Sequence, residues 1–191
     1  MSSPVFGSLN RNKKILYIVN HKVANTTIVS ALRNHGYTDR QIVHVDVTDL
    51  NYIFTFVRNP YERLLSRYSH LCRRIKELGS SGFGDFLTAG DKNILAYFNG
   101  SPIEIKNFKF KDFVKFTQRV FDPHWEPQVD KFEKQVDSLD NINYIGRFEN
   151  FQEDFNTACD KIGIPRQKLP HKNESKHKHY TEYYDEETRE I

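Results

Sequence analysis

The feature that most limits how this chain can fold occurs twice: a short apolar run stops at a polar turn and continues as a helix. Ile15 to Val19 (ILYIV) is β-branched and aromatic, the pattern of a strand buried on both faces. It runs into Asn20-His21-Lys22-Val23-Ala24-Asn25-Thr26-Thr27, after which Ile28, Val29, Ala31 and Leu32 follow at helical spacing. Tyr52 to Val57 (YIFTFV) does the same. It ends at Arg58-Asn59-Pro60 and gives way to an amphipathic helix carrying Tyr61, Leu64, Leu65, Tyr68, Leu71, Cys72, Ile75 and Leu78. Asn59 can cap that helix, Pro60 suits its first turn and Gly79 can end it.

Other segments fit around these two. Gln41 to Val47 and Asn141 to Ile145 read as further strands, and Phe110 to Val120 as a helix ended by Asp122-Pro123. Asn150 and Glu153 have capping-box spacing before a helix with Phe151, Phe155, Ala158, Cys159 and Ile162, stopped by Gly163 and Pro165. With 191 residues, 15 Phe and 10 Tyr, the chain can build one α/β domain over residues 1–191. Residues 1–14 are polar and expected to be flexible, and residues 168–191 form a charged tail. Cys72 and Cys159 fall on apolar helix positions and read as buried thiols in a reducing compartment.

The two turns are where chemistry can sit. A helix start offers unpaired N–H groups and partial positive charge, so the first turn suits an anion. Lys22 adds a full charge, and Thr26 and Thr27 add hydroxyls. No glycine lies between Gly7 and Gly36, so the turn is not a GxxxxGK[ST] phosphate loop and a nucleotide kinase is disfavoured. In the second turn Arg58 stands at a strand's carboxyl edge, with Ser66 two helical turns further on. A guanidinium fork and a hydroxyl held this way can share one phosphate.

Taken together, the two segments resemble the 5′-phosphosulfate loop and the 3′-phosphate motif of sulfotransferases that use 3′-phosphoadenosine 5′-phosphosulfate (PAPS). The resemblance is closest to the carbohydrate branch with the chondroitin/dermatan 4-O- and heparan 2-O-sulfotransferases. His21 to Thr27 is similar to that branch's loop, and Phe56-Val57-Arg58-Asn59-Pro60-Tyr61-Glu62-Arg63-Leu64-Leu65-Ser66 to its later motif. His124-Trp125-Glu126-Pro127-Gln128, Ile145 to Phe151, Asn173-Glu174-Ser175 and the Tyr183-Tyr184-Asp185 region extend the likeness to the end of the chain.

The resemblance implies a P-loop-like parallel sheet flanked by helices, with ligand at the strands' carboxyl ends. Lys22, Val23, Ala24, Asn25, Thr26 and Thr27 would hold the 5′-phosphosulfate, with Lys22 also stabilising charge on the leaving phosphate. Arg58 and Ser66 would bind the 3′-phosphate, and Lys172, Asn173 and Ser175 would close over the nucleotide. A histidine suits the role of general base toward the acceptor hydroxyl. His44, between the two motifs, is the preferred candidate, and His124 the second, otherwise an acceptor-binding residue. The acceptor implied is a glycan or glycoconjugate, and the desulfated product is 3′,5′-adenosine bisphosphate.

Other classes are less well served. A net charge of +3 is too mild for a dedicated nucleic-acid binder. His171, His177 and His179 lack companions at ligand spacing, so no metal site is expected. No apolar run is long enough to span a membrane and no signal-peptide core begins the chain. A cytoplasmic protein is expected, or one of the Golgi lumen if this is the catalytic part of an anchored enzyme. A non-catalytic nucleotide- or glycan-binding module on the same scaffold is the alternative function.

Overall fold

A computed structural model describes residues 3–78, 107–170 and 178–191, the side chains of 75–78 excepted. Among the described residues are five strands: β1 (Ser3–Asn10), β2 (Ile15–Ile18), β3 (Gln41–Val45), β4 (Tyr52–Val57) and β5 (Tyr144–Arg147). The helices are α1 (Asn25–Arg33), α2 (Pro60–Leu78), α3 (Phe110–Thr117), α4 (Gln128–Val136), α5 (Phe151–Ile162) and the single-turn α6 (Glu186–Arg189). They divide between two compact units, one of Met1–Asn59 with Pro127–Asn173, the other of Pro60–Glu126 with Glu174–Ile191. Each unit draws on two separate stretches, so neither can be excised as one contiguous segment.

The first unit holds the whole sheet, in the order β3-β1-β2-β4-β5. β2, β4 and β5 run parallel, whereas β1 is antiparallel to both β2 and β3. The expected parallel sheet is present as β2, β4 and β5, and β1 adds antiparallel pairing that makes the whole sheet mixed. Alternation along β2 and β4 builds two cores. Ile15, Tyr17, Phe54 and Phe56 face α1 and α5, while Leu16, Ile18 and Ile53 join Val5, Leu9, Val43 and the α4 residues Phe132 and Val136. Apolar residues on both strand faces are the reason these runs lack polar alternation. Thr55, the polar exception, donates its buried hydroxyl to the Ile18 carbonyl at 2.9 Å.

β1 overturns the expectation of a flexible start. It lies inside the sheet between β3 and β2, with Val5 and Leu9 buried. Its polar residues are paired through side chains: Ser8 Oγ donates to the Thr38 carbonyl and Asn10 Nδ2 to the His35 carbonyl. Gly7 is required by close approach, because a Cβ there would sit 2.7 Å from the Tyr17 carbonyl oxygen. Polar residues with Pro4 and Gly7 hide a strand whose stability comes from pairing on both edges.

Three smaller differences concern helices and a strand boundary. α4 was not expected. β5 begins at Tyr144 and reaches Arg147, later than the reading of Asn141 to Ile145. Asn150 occupies the α5 N-cap position, but its side chain does not cap the helix. Gly163 ends α5 as expected, in a left-handed conformation with φ +65°. Cys159 is a buried thiol, and Cys72 a half-buried one.

The second unit is an aromatic cluster without a sheet among its described residues. Leu65 and Leu71 of α2 meet Phe108, Phe110, Phe113, Val114, Phe116 and Tyr184. Tyr184 Oη donates to the Tyr61 carbonyl at 3.2 Å. Lys111 reaches Asp185 and Glu187, and Lys115 reaches Glu187. These exposed pairs contribute little individually. Burial of Tyr184 against Phe110 and Tyr61 holds the end of the chain.

Gly146 marks a tight contact in the sheet, because a Cβ there would lie 2.4 Å from the Phe56 ring. Phe56 is fully buried and packs against Tyr17, Phe151 and Phe155, so the ring cannot give way cheaply. Gly146→Ala should therefore destabilise the protein by about 1–3 kcal/mol in urea denaturation.

Candidate active site

The turn between β2 and α1 is held in an unusual backbone conformation. Lys22 (φ +67°) and Ala24 (φ +59°) are left-handed, two of four such non-glycine residues among those described. Each costs roughly 1–2 kcal/mol, so the surrounding structure must impose them. Buried Val23 anchors the turn between them. Asn25 braces it from within: its Oδ1 accepts from Tyr17 Oη at 2.7 Å and its Nδ2 donates to the Asn20 carbonyl.

α1 then opens without a side-chain cap and without an acidic residue in its first turn. The Ala24 carbonyl accepts from Thr27 and Ile28, which leaves Asn25 and Thr26 N–H with no intrahelical acceptor. Thr26 is exposed at the same end. A helix end bearing these groups, with Lys22 beside it, favours an anion.

β4 lies parallel to β2, so its carboxyl end emerges next to this turn. Arg58 follows it and donates from Nη1 to the Lys22 carbonyl at 3.3 Å. Its guanidinium lies 4.4 Å from the centroid of the Phe148 ring. Gln128, the first residue of α4, fixes the Arg58 backbone on both sides. Its Oε1 accepts from Arg58 N–H at 3.0 Å and its Nε2 donates to the Arg58 carbonyl at 2.8 Å. The same Oε1 accepts from Asn20 Nδ2 at 2.7 Å, and that Nδ2 also reaches the Phe56 carbonyl at 3.1 Å. One amide thus links the ends of β2 and β4. From α4, Lys131 Nζ comes within 2.5 Å of His21 Nδ1, and the His21 ring stacks on Phe6.

In the second unit, Arg63, Ser66 and Arg67 share one face of α2 and all three are buried. Arg63 donates twice to the Glu126 carbonyl, at 2.9 and 2.8 Å, and Arg67 faces the Trp125 ring. Burial lowers the Arg63 pKa, with the Glu126 charge opposing, but the guanidinium remains charged at physiological pH. Trp125 Nε1 donates to the Val120 carbonyl at 2.8 Å.

The segment so pinned carries His124. The Asp122 Oδ1 accepts from His124 backbone N–H at 2.8 Å and lies 2.6 Å from His124 Nδ1. Burial pushes the Asp122 carboxyl up, but hydrogen bonds from the His124 ring and backbone, with Arg67 nearby, outweigh it and leave the carboxyl below its ordinary value.

The first unit brings Lys22 to Thr27 together with Arg58, although the side chains of Val23, Asn25 and Thr27 are buried rather than presented outward. Ser66 and His124 belong to the second unit. His44 is exposed on β3, and β1 intervenes between that strand and β2. Two strand spacings, roughly 9–10 Å, therefore separate β3 from the strand that feeds the Lys22 turn. Lys172, Asn173 and Ser175 lie outside the described residues, as do His171 and His177. Among the described residues no three His, Cys, Asp or Glu side chains gather as metal ligands. Nor is any helix among them long and apolar enough to cross a membrane.

The sequence reading missed Asp122, Arg63, Arg67 and a structural role for Gln128. Asp122-Pro123-His124 had a usable signal, because Asp before Pro favours a turn closed by its own side chain. Arg63 and Arg67 had none, since arginines four residues apart usually mark a solvated helix face. Removing the Gln128 amide should loosen the strand ends. Gln128→Ala is expected to cost about 1–3 kcal/mol of unfolding free energy, read by chemical denaturation.

The arrangement can be set beside known proteins. A sequence model of the sulfotransferase family matches residues 8–191. Carbohydrate sulfotransferase 9 of Homo sapiens is 27% identical over 172 residues, covering 81% of this chain and 37% of that protein. An uncharacterized protein of Archaeoglobus fulgidus is 27% identical over 119 residues, covering 60% of this chain and 70% of that protein. No solved structure matches the chain significantly. Since the family match spans residues 8–191 and so takes in both turns and the Asp122–His124 segment, the chain belongs to the sulfotransferase family.

Proposed function

We propose that this protein transfers the sulfuryl group of PAPS to a hydroxyl of a carbohydrate. The observation that carries the reading is the joining of two basic strand ends. The uncapped, left-handed Lys22 turn meets Arg58 through the Lys22 carbonyl, beside an α1 start that holds no acid. Such a pairing suits a ligand with two separate anionic groups, and PAPS has them at its 5′ and 3′ positions. Lys22, Thr26 and the α1 backbone serve the phosphosulfate. Val23, Asn25 and Thr27 maintain the turn from within, while Ala24 sits at the α1 N-cap. Arg58 serves the 3′-phosphate, and Ser66 follows as its second donor in the same motif. Lys172, Asn173 and Ser175 are retained as nucleotide contacts on the strength of the family likeness alone.

Transfer breaks the bond between sulfur and the bridging phosphate oxygen and forms one between sulfur and the acceptor oxygen. The acceptor's proton passes to a base, and negative charge returns to the 5′-phosphate, where Lys22 and the helix end stabilise it. His124 is favoured over His44 for that base. It is held by Asp122 in a pinned loop, whereas His44 projects from an exposed strand two places from β2. Carbohydrate as acceptor is taken from the human relative, a carbohydrate sulfotransferase.

Binding is tested by thermal unfolding with 3′,5′-adenosine bisphosphate, and with ATP and 5′-AMP in parallel. At about 100 times its dissociation constant the bisphosphate should add roughly 2.7 kcal/mol of stability, or several degrees. That stabilisation should be selective and should vanish in Arg58→Ala. No shift, or an equal shift with ATP, would remove the 3′-phosphate assignment.

A further inference from the structure

We propose that Asp122 is a positioning residue that fixes the His124 ring in the Nδ1–H form, making Nε2 the nitrogen that accepts the acceptor's proton. The inference rests on His124 being the base, as argued above, and adds what prepares it for that task.

The chemistry of the contact decides the tautomer. Asp122 Oδ1 lies 2.6 Å from His124 Nδ1. An ionised carboxylate can only accept hydrogen bonds, so the nitrogen facing it must carry the proton. Asp122 is 3% exposed, and its carboxyl is kept below the usual range by its bonds from His124 and by Arg67. A neutral ring protonated at Nδ1 has its lone pair at Nε2. Without such a partner a neutral imidazole is not confined to that form, and molecules with Nε2–H cannot take a proton there.

The same oxygen also fixes where the ring stands. Oδ1 accepts the His124 backbone N–H at 2.8 Å, so one atom orients both the main chain and the ring. The Asp122 carbonyl accepts from Trp125 N–H at 3.1 Å and Glu126 N–H at 3.0 Å, closing the turn. Arg63 holds the far end of the turn through the Glu126 carbonyl, and also reaches the Pro123 carbonyl at 3.5 Å. His124 keeps 23% of its side chain exposed while Asp122 keeps 4%, so the ring can meet an acceptor and the carboxylate cannot. Asp122 therefore acts through His124. The proton moves from the acceptor hydroxyl to Nε2, while the Nδ1 proton stays between His124 and Asp122. The imidazolium so formed is stabilised by the buried carboxylate.

The test reads the ring directly. Two-dimensional proton–nitrogen spectra of the imidazole side chains, recorded on the full chain at about pH 9 to keep free imidazole neutral, distinguish protonated from unprotonated Nδ1. The His124 signals are assigned by their loss in His124→Gln. A protonated Nδ1 in the wild type, with loss of that preference in Asp122→Ala, is the expected result. An unprotonated Nδ1 in the wild type overturns the inference, and that spectrum decides even if Asp122→Ala does not fold. Where the variant folds, an unchanged ring spectrum also overturns it. In transfer assays kcat of Asp122→Ala should fall at least ~100-fold, with KM for PAPS unchanged. A fall confined to KM overturns the inference. Should wild-type protein sulfate nothing, the functional reading fails, but the spectra still decide the ring's tautomer.

Discussion

The Gln128 amide is the interaction on which the paired strand ends of the first unit depend. Two parallel strands deliver two basic turns to one edge of the sheet, but parallel pairing alone stops at the last ladder bond. Beyond it, the Arg58 backbone and the Asn20 side-chain NH2 are polar groups that call for partners. Gln128 meets both, with one oxygen accepting from each and its nitrogen returning a bond to the Arg58 carbonyl. Arg58 can then donate to the Lys22 carbonyl across the strand ends. The left-handed conformations of Lys22 and Ala24 flank buried Val23 and are followed by Asn25, which is held by Tyr17 and the Asn20 carbonyl.

Polar burial recurs wherever the chain must hold something still. Tyr17, Asn25 and Asn20 form a chain of bonds beneath the first turn. Arg63, Arg67 and Asp122 do similar work around His124 in the second unit. Where such a buried group loses its partner, the one left behind is stranded at a cost of about 1–3 kcal/mol.

How far the sequence could be read follows from the same physics. β2, β4 and α2 were legible because burial on two faces or one stripe leaves an apolar signature, and the two turns were legible because they interrupt it. β1 was not, because Ser8 and Asn10 are made compatible with the interior by Thr38 and His35, partners about 25–30 residues away in sequence. α4 carries only Phe132 and Val136 as buried apolar anchors, and its buried Lys131 looks like a solvated residue. At His44 the strand alternates, with Val43 buried and His44 exposed. What the alternation could not reveal was that β1 would enter the sheet and set β3 two strands away from the Lys22 turn.

The most direct test of the account is transfer itself. Wild-type protein, His44→Ala and His124→Ala would be incubated with radiolabelled PAPS and a panel of hydroxyl-bearing glycans, and label on the glycan counted. The account predicts labelled glycan with the wild type and with His44→Ala, and a loss of at least ~100-fold with His124→Ala. Absence of transfer to every glycan, in a protein that still binds the bisphosphate, would contradict it and leave a nucleotide-binding module in its place.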